Sequence, residues 1–195
     1  MTFALGHPVV GEHFFGRRRE LAEILSLLQA GAAVNFYSLR RMGKSSLLRQ
    51  IDYLSKHDAN WQHLHDAYVD SWGSAGRSFR HVILRELTES RSRRSWGRER
   101  FRLGEADPWE EIRRHTGEDE GKTVLLLDEM DAWLTEGGHG NDFRELRALQ
   151  QAGYLNLVVS TAYGPILDKM ETGDFRSGSP FFNIFTVFRL RFYAR

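Results

Sequence analysis

Apolar and polar positions divide this chain into two kinds of segment. Short apolar runs rich in strand formers, some of them without alternation, occur at residues 33–38, 63–71, 123–129, 155–161 and 184–190. Between these runs, apolar residues recur with helical spacing, as in Leu21, Ile24, Leu25 and Leu28. Five strands that alternate with helices predict a three-layer α/β fold with a mainly parallel sheet.

Start and stop signals delimit the predicted helices. Gly31 and Gly153 follow apolar helical patterns and are expected to end helices, and Ser78 is a candidate N-cap. Asp107 precedes Pro108, which is favoured at the first position of a helix. Further helices are predicted over residues 44–56, 130–134, 142–151 and 164–170.

A short loop connects the first strand to the following helix and ends in Gly43, Lys44 and Ser45. This order of strand, loop and helix is typical of a phosphate-binding loop, where free backbone N–H groups and the helix dipole favour a polyanion. Lys44 is then expected to reach the β- and γ-phosphates, and the Ser45 hydroxyl to bind Mg²⁺. The usual pattern begins with glycine, whereas this chain has Ser38, which has less conformational freedom. The alternative is a simple structural turn.

Two acidic residues end the third strand, whose apolar residues do not alternate and therefore predict a strand buried on both faces. In a phosphate-loop enzyme, Asp128 at this point helps to hold Mg²⁺. Glu129 could then polarise a water molecule for attack on the γ-phosphate. The alternative is that both acids, with Asp131, cap the next helix.

Composition excludes several classes of protein. The 195 residues suit one domain over residues 1–195, with 41% hydrophobic and 27% charged residues. A net charge of +1 gives no global attraction to nucleic acid or membrane, and the lack of cysteine excludes disulfides and cysteine-bound zinc. The N-terminal residues do not resemble a signal peptide, and no apolar run is long enough to span a membrane. We therefore expect a soluble cytoplasmic protein.

Five segments together resemble a bacterial and archaeal branch of AAA-type ATPases, the AAA-like ATP-binding proteins related to archaeal ATPases and STAND signalling NTPases. The segments are FFGRRREL at 14–21, LRRMGKSSLL at 39–48, LLLDEMD at 125–131, LRAL at 146–149 and SPFFN at 179–183. They extend over most of the chain, from about residue 14 to residue 190. The combination is specific to this branch, although the phosphate loop alone is not.

The resemblance implies a sheet in the strand order 5-1-4-3-2, ATP and Mg²⁺ as ligands, and catalytic roles for Glu129 and Lys44. It implies that the nucleotide is bound by loop residues, namely Ser38, Arg40, Arg41, Met42, Gly43, Lys44, Ser45 and Ser46. It also puts the segment 14–20 near the adenine, with Phe15, Gly16 and Arg17 as binding residues, and Ser45 and Asp128 on the metal. The γ-phosphate sensor is expected at Ser160 or Thr161, and Arg176 is either an arginine finger or an exposed loop residue.

The sequence departs from this family after the fifth strand. Such proteins continue into a helical lid, whereas this chain stops at Arg195. The expectation is therefore an ATPase core with no C-terminal lid, which binds ATP in the micromolar range or more weakly and hydrolyses it slowly. Its last strand and phenylalanines are expected to favour self-association.

Three hypotheses for function follow. The first is a weak, Mg²⁺-dependent ATPase, and the second is a nucleotide-gated switch that acts on a protein partner or within a homo-oligomer. The third is a DNA-associated accessory protein that uses the arginine-rich stretch 91–102, where Trp96 and Phe101 are interleaved. His63 and His65 lack a third metal ligand at a readable spacing. The phenylalanines near the end of the chain are expected in the core, namely Phe181, Phe182, Phe185 and Phe188.

Overall fold

A five-stranded sheet forms the centre of the fold, and each neighbouring pair of strands is parallel. The computed structural model describes residues 7–74, 76–93, 107–118, 123–136, 140–162 and 181–191. The strands lie in the order β2-β3-β4-β1-β5. They are β1 (Ala33–Ser38), β2 (His65–Asp70), β3 (Thr123–Asp128), β4 (Asn156–Ala162) and β5 (Phe185–Arg189). This is the predicted order 5-1-4-3-2 seen from the opposite edge, so the prediction is confirmed.

Helices cover both faces of the sheet. They are α1 (Arg18–Gln29), α2 (Lys44–His57), α3 (Phe79–Arg93), α4 (Pro108–Glu118), α5 (Asp131–Glu136) and α6 (Gly140–Gln151). Two 3₁₀ turns, Gly11–His13 and Phe181–Ile184, complete the described elements. Within the described residues, no helix has the length and apolar character needed to cross a bilayer.

The core has two parts because successive residues of a strand point to opposite faces. Leu126 and Val158 pack with the apolar stripes of α1 and α2 on one face. Leu125 and Leu157 pack with α3, α4 and α6 on the other. All six residues of β3 are buried, which confirms the prediction of a strand covered on both faces. Each buried leucine of this kind contributes about 1.5–3 kcal/mol of transfer free energy.

Most predicted elements are confirmed, with small shifts at their ends. The second strand begins at His65 rather than at residue 63. The helix α5 begins at Asp131 rather than at residue 130, because the left-handed backbone of Glu129 forms a turn directly before it. Phe181, Phe182 and Phe185 are buried as expected, and Phe188 is partly buried. The predicted helix 164–170, Arg176 and the basic stretch beyond residue 93 lie outside the described residues.

The strand register brings the carboxyl ends of four strands to one edge of the sheet. Ser38 of β1 is opposite Ala162 of β4, and Asp70 of β2 is opposite Asp128 of β3. Leu127 pairs with Val159, so the next residue along each strand, Asp128 and Ser160, also lie side by side. In open parallel sheets, ligands bind at this edge.

Candidate functional site

The loop between β1 and α2 has the backbone of an anion-binding turn. Arg41 and Gly43 have φ angles of 63° and 83°, and Gly43 precedes α2 without a side-chain cap. The N–H groups of the first helical turn are therefore available to a ligand. Among the described residues other than glycine, only Arg41 and Glu129 have positive φ. Ser38 is not one of them, so the serine in place of the usual glycine carries no backbone strain here.

Lys44 lies at the start of α2 with only 5% of its surface exposed. Its Nζ donates hydrogen bonds to the carbonyl oxygens of Ser38 (3.2 Å) and Leu39 (3.1 Å). Burial lowers the pKa of Lys44, and the negative charges of Glu129 and the neighbouring aspartates oppose this change. A desolvated ammonium group beside free helical N–H groups is suited to a phosphate.

Asp128 ends β3, and hydroxyl groups from both neighbouring strands contact its carboxylate. Ser160 Oγ of β4 donates to Oδ1 at 2.5 Å, and the Tyr68 hydroxyl of β2 donates to Oδ2 at 2.6 Å. Burial and the charge of Asp128 raise the pKa of Tyr68, so its hydroxyl remains a donor. The carboxylate is therefore held at both oxygens.

Glu129 follows with a φ of 51°, an uncommon conformation for a residue with a side chain. Ser160 stabilises this turn twice. Its Oγ accepts the Glu129 N–H at 2.9 Å, and its carbonyl oxygen accepts the Met130 N–H at 3.0 Å. Burial raises the pKa of Glu129, and the nearby charge of Asp128 raises it further. Strained, non-glycine residues of this kind are enriched at functional sites.

Asp131 is the third acid at this edge. Its Oδ2 accepts the Ala162 N–H at 2.5 Å, which connects α5 to the end of β4. Burial raises the pKa of Asp131, although the hydrogen bond from Ala162 opposes this change. The Asp131 side chain thus contacts the backbone at the end of β4, whereas the Asp128 side chain contacts hydroxyl groups of β2 and β4.

The loop and the acids face each other across the end of β4. Since β4 separates β1 from β3, their ends lie about two strand spacings, or roughly 10 Å, apart. The described residues contain no group of three or more histidines, aspartates or glutamates that could hold a metal ion. A metal here needs the Ser45 hydroxyl and ligand oxygens besides Asp128. This fits Mg²⁺, which binds one or two carboxylates together with phosphates.

Ser46 contacts protein backbone through its side chain. Its Oγ accepts the Val9 N–H at 3.1 Å, and Gln50, one turn later, accepts the Gly11 N–H at 2.7 Å. The N-terminal segment is thus attached to the first two turns of α2. Ser45 lies next to this contact and is half-buried.

Arg17 is 3% exposed and connects three parts of the chain. Its guanidinium donates to Glu20 at 2.6 Å, to the Met42 carbonyl oxygen at 3.2 Å and to the Arg191 carbonyl oxygen at 2.6 Å. Phe15, two residues earlier, is 57% exposed, and Gly16 has a φ of 82°. The Arg17 guanidinium therefore contacts the loop between β1 and α2 at the carbonyl oxygen of Met42. The direct adenine contacts of Phe15, Gly16 and Arg17 stay predictions.

The two predicted sensor residues point in different directions. Ser160 contacts Asp128, whereas Thr161 is buried and donates to Asn35 Oδ1 at 3.2 Å on the neighbouring strand. Of these two residues, Ser160 is thus the one that touches the acidic half of the site. Arg40 and Arg41 are exposed on the loop, and Met42 is buried. Their nucleotide contacts stay predictions.

Sequence reasoning did not identify Tyr68 or Arg49. Tyr68 belongs to β2, where Asp66, Tyr68 and Asp70 alternate with Ala67 and Val69. The Arg49 Cζ lies 3.4 Å from the centre of the Tyr68 ring. The available signal was the polar residue at every second position of β2, next to a strand that ends in acidic residues. This signal does not indicate which residue Tyr68 contacts.

Comparisons with known proteins support this arrangement at the level of fold. No protein-family model and no curated protein matches the chain. Among solved structures, a Walker-type ATPase of Pyrococcus abyssi matches with a TM-score of 0.63 at 19% identity, over 96% of this chain and 56% of that one. The Aeropyrum pernix ORC2 protein, solved in ADPNP–ADP complexes, matches with a TM-score of 0.66 at 15% identity, over 93% and 49%.

A further match is the Aeropyrum pernix ORC1 protein, solved in complex with DNA. It has a TM-score of 0.57 at 14% identity, over 93% of this chain and 46% of that one. The chain thus spans about half the length of the structures it matches. It has the fold of an archaeal-type P-loop ATPase core.

Proposed function

We propose that the chain binds ATP with Mg²⁺ between the loop 38–45 and the end of β3, and hydrolyses it. One observation carries the proposal. Lys44, buried at an uncapped helix start, occupies the same edge of a parallel sheet as the acids Asp128 and Glu129. The charges of both acids oppose the lowering of the Lys44 pKa by burial, and the charge of Lys44 opposes the rise of the Glu129 pKa. A cation beside free N–H groups, opposite acids, is the arrangement that a magnesium–nucleotide complex needs.

The phosphates bind to the loop and to Lys44. In the structure, Lys44 Nζ donates to the carbonyl oxygens of Ser38 and Leu39. Phosphate oxygens are stronger acceptors than carbonyl oxygens because they are charged. The ammonium group therefore turns from one or both carbonyls to the phosphate when the nucleotide binds.

Ser45 and Asp128 hold Mg²⁺, which when bound neutralises charge on the phosphates. Both supply oxygen, the donor that Mg²⁺ prefers. Residue Ser160 keeps the Asp128 carboxylate in place through its 2.5 Å hydrogen bond.

Glu129 acts as the general base for the attacking water. Burial raises the pKa of its carboxyl group, and a base is most effective when its pKa approaches the operating pH. Because Ser160 accepts its N–H, the position of Glu129 depends on the end of β4.

The choice of ATP rests on the solved structures. One is described as an ATPase and another was solved with ADPNP and ADP. The exposed ring of Phe15 offers a surface on which an adenine can stack. Its neighbour Arg17 contacts the phosphate loop at Met42.

A nucleotide-gated switch is the second candidate, and the contacts of Arg17 favour it. The same guanidinium binds the carbonyl of Met42 in the phosphate loop and that of Arg191 after β5. A movement of the loop on nucleotide binding is thereby transmitted to the end of β5. The switch and the ATPase differ in turnover and share the binding site.

Replacing Lys44 by alanine tests the site itself. We expect Lys44→Ala to retain the fold and to lose about 2–3 kcal/mol of ATP affinity, because charge-assisted hydrogen bonds to phosphate are lost. Calorimetric titration measures this, with Lys56→Ala, an exposed lysine of the same helix, as the matched control. Equal affinity of Lys44→Ala and the parent chain would exclude the phosphate-binding loop.

Replacing Glu129 by glutamine separates the ATPase from the switch. We expect Glu129→Gln to bind ATP normally and to hydrolyse it roughly 10²–10⁴-fold more slowly, the contribution typical of a general base. Phosphate release measures this, with Glu110→Gln on the exposed face of α4 as the control. A parent chain that binds ATP without turnover beyond that of Glu129→Gln supports the switch instead.

A further inference from the structure

Asp128 is held from both sides by the strands next to its own. Ser160 on β4 and Tyr68 on β2 donate to different oxygens of its carboxylate, at 2.5 Å and 2.6 Å. Two hydroxyl groups fix the plane of the carboxylate and leave further lone pairs on each oxygen. Only Tyr68 approaches from the edge strand of the sheet.

Tyr68 is itself held by α2. Its ring packs in the core on the α1 and α2 face, and the guanidinium of Arg49 lies 3.4 Å above the ring centre. This cation–π contact fixes the ring without using its hydroxyl. Tyr68 is half-buried, which limits the access of water to its hydrogen bond with Asp128.

Arg49 also connects Tyr68 to α2, the helix that carries Ser45. Arg49 is four residues after Ser45 on α2, and residues at this spacing lie on the same helix face. The path from Ser45 along α2 to Arg49, Tyr68 and Asp128 therefore connects the two residues assigned to Mg²⁺.

We infer that Tyr68 is a positioning residue for the magnesium site: its hydroxyl, held by Arg49, orients the Asp128 carboxylate toward the metal of a bound magnesium–nucleotide. This inference rests on the proposed nucleotide site. Tyr68 contacts neither phosphate nor metal. Its role is confined to the metal-dependent part of nucleotide binding.

The test is Tyr68→Phe, which keeps the ring under Arg49 and removes one oxygen atom. Binding of a fluorescent ATP analogue is measured in EDTA and then as a function of Mg²⁺ concentration. We expect the affinity in EDTA to stay within two-fold of the parent chain. The half-saturating Mg²⁺ concentration should rise about ten-fold, the lower end of the effect of losing an outer-shell partner, because Ser160 remains.

Two further variants complete the experiment. Tyr53→Phe removes a hydroxyl from a tyrosine of α2 that stacks on His57 instead of contacting Asp128, and should leave the Mg²⁺ dependence unchanged. Arg49→Met removes the contact above the ring and should shift the Mg²⁺ dependence in the same direction as Tyr68→Phe, by a smaller factor.

The outcomes distinguish the inference from the proposed function. Failure of the parent chain to bind the analogue with Mg²⁺ overturns both. A parent chain that binds in a Mg²⁺-dependent manner, with an unchanged half-saturation in Tyr68→Phe, overturns the role of Tyr68 alone. An equal loss of affinity with EDTA and with Mg²⁺ also overturns it, because the tyrosine would then be merely structural.

Discussion

Asp66 is a buried carboxyl group on β2 that contacts Asp52 and Ser55 of α2. Burial, together with the hydrogen bond and negative charge of Asp52, raises the pKa of Asp66 to about 7. The pKa of Asp52 is lowered, since hydrogen bonds from Asp66 and Lys56 outweigh its burial. The pair therefore shares one proton below about pH 7.

This pair makes stability depend on pH in a defined direction. A raised pKa means that the folded chain binds more protons than the unfolded chain between pH 4 and 7, so stability falls as pH rises through that window. The lowered pKa of Asp52 acts in the opposite direction, but only in the acid range below its ordinary value of 3.8. Within the pair, Asp66 thus determines the effect near neutrality.

We predict that Asp66→Asn, which mimics the protonated acid, removes this dependence. Between pH 5.5 and 8 the parent chain should lose about 1–2 kcal/mol more stability than the variant, or roughly 3–6 °C in Tm. Thermal melts at both pH values measure the difference, with Glu23→Gln on the exposed face of α1 as the control. Parallel Tm shifts in the parent chain and Asp66→Asn would contradict the prediction.

Three elements meet at Arg17, which precedes α1. Its guanidinium binds the loop before α2 at Met42 and the residue that follows β5 by two positions, Arg191. A third contact, to Glu20, holds it against the first turn of α1. Because the bond to Met42 is buried, loss of the guanidinium would leave the Met42 carbonyl without a hydrogen-bond partner away from water.

We predict that Arg17→Met destabilises the fold by about 2–4 kcal/mol, because a buried charge and its acceptors lose each other. The stability of Arg17→Lys should lie between that of the parent chain and that of Arg17→Met, since a single ammonium group cannot make all the hydrogen bonds of the guanidinium. Urea unfolding measures both, with Arg19→Met, an exposed arginine two positions later, as the control. If Arg17→Met lost less than about 0.5 kcal/mol of unfolding free energy, the range of ordinary surface substitutions, Arg17 would not stabilise the contact between these elements.

Elements with a clear local pattern could be predicted from the sequence. The stripe Leu21, Ile24, Leu25 and Leu28 of α1 is buried as its spacing indicated. The continuous apolar run of β3 is buried on both faces. The glycine-lysine-serine triplet begins a helix after a strand, so the candidate loop was also visible. These features depend on residues close together in the chain.

Contacts between distant elements could not be predicted in the same way. Tyr68 and Asp128 are 60 residues apart, and nothing local to either indicates that their side chains meet. The left-handed turn at Glu129 depends on Ser160, which is 31 residues away. Ser38 stands where the usual pattern has a glycine with greater conformational freedom, yet the positive φ occurs at Arg41 instead. Such outcomes depend on sheet register, which only the whole molecule determines.

At the scale of the whole molecule, β1 lies between β4 and β5. Both neighbours come from the last quarter of the chain, and Thr161 of β4 bonds Asn35 of β1 across 126 residues. The helices α1 and α2 adjoin β1 in sequence and cover the face that carries Val34 and Phe36. Closing so long a loop costs entropy before its contacts form.

This strand order has a consequence for synthesis on the ribosome. At about 5–20 residues per second, roughly 6–25 s separate the emergence of Asn35 from that of its partner Thr161. During that time β1 can be covered by α1 and α2 on one face only, with both of its hydrogen-bonding edges unpaired. We therefore expect the nucleotide loop, although it emerges early, to gain its fixed shape and its affinity for ligand only after β4 has been made.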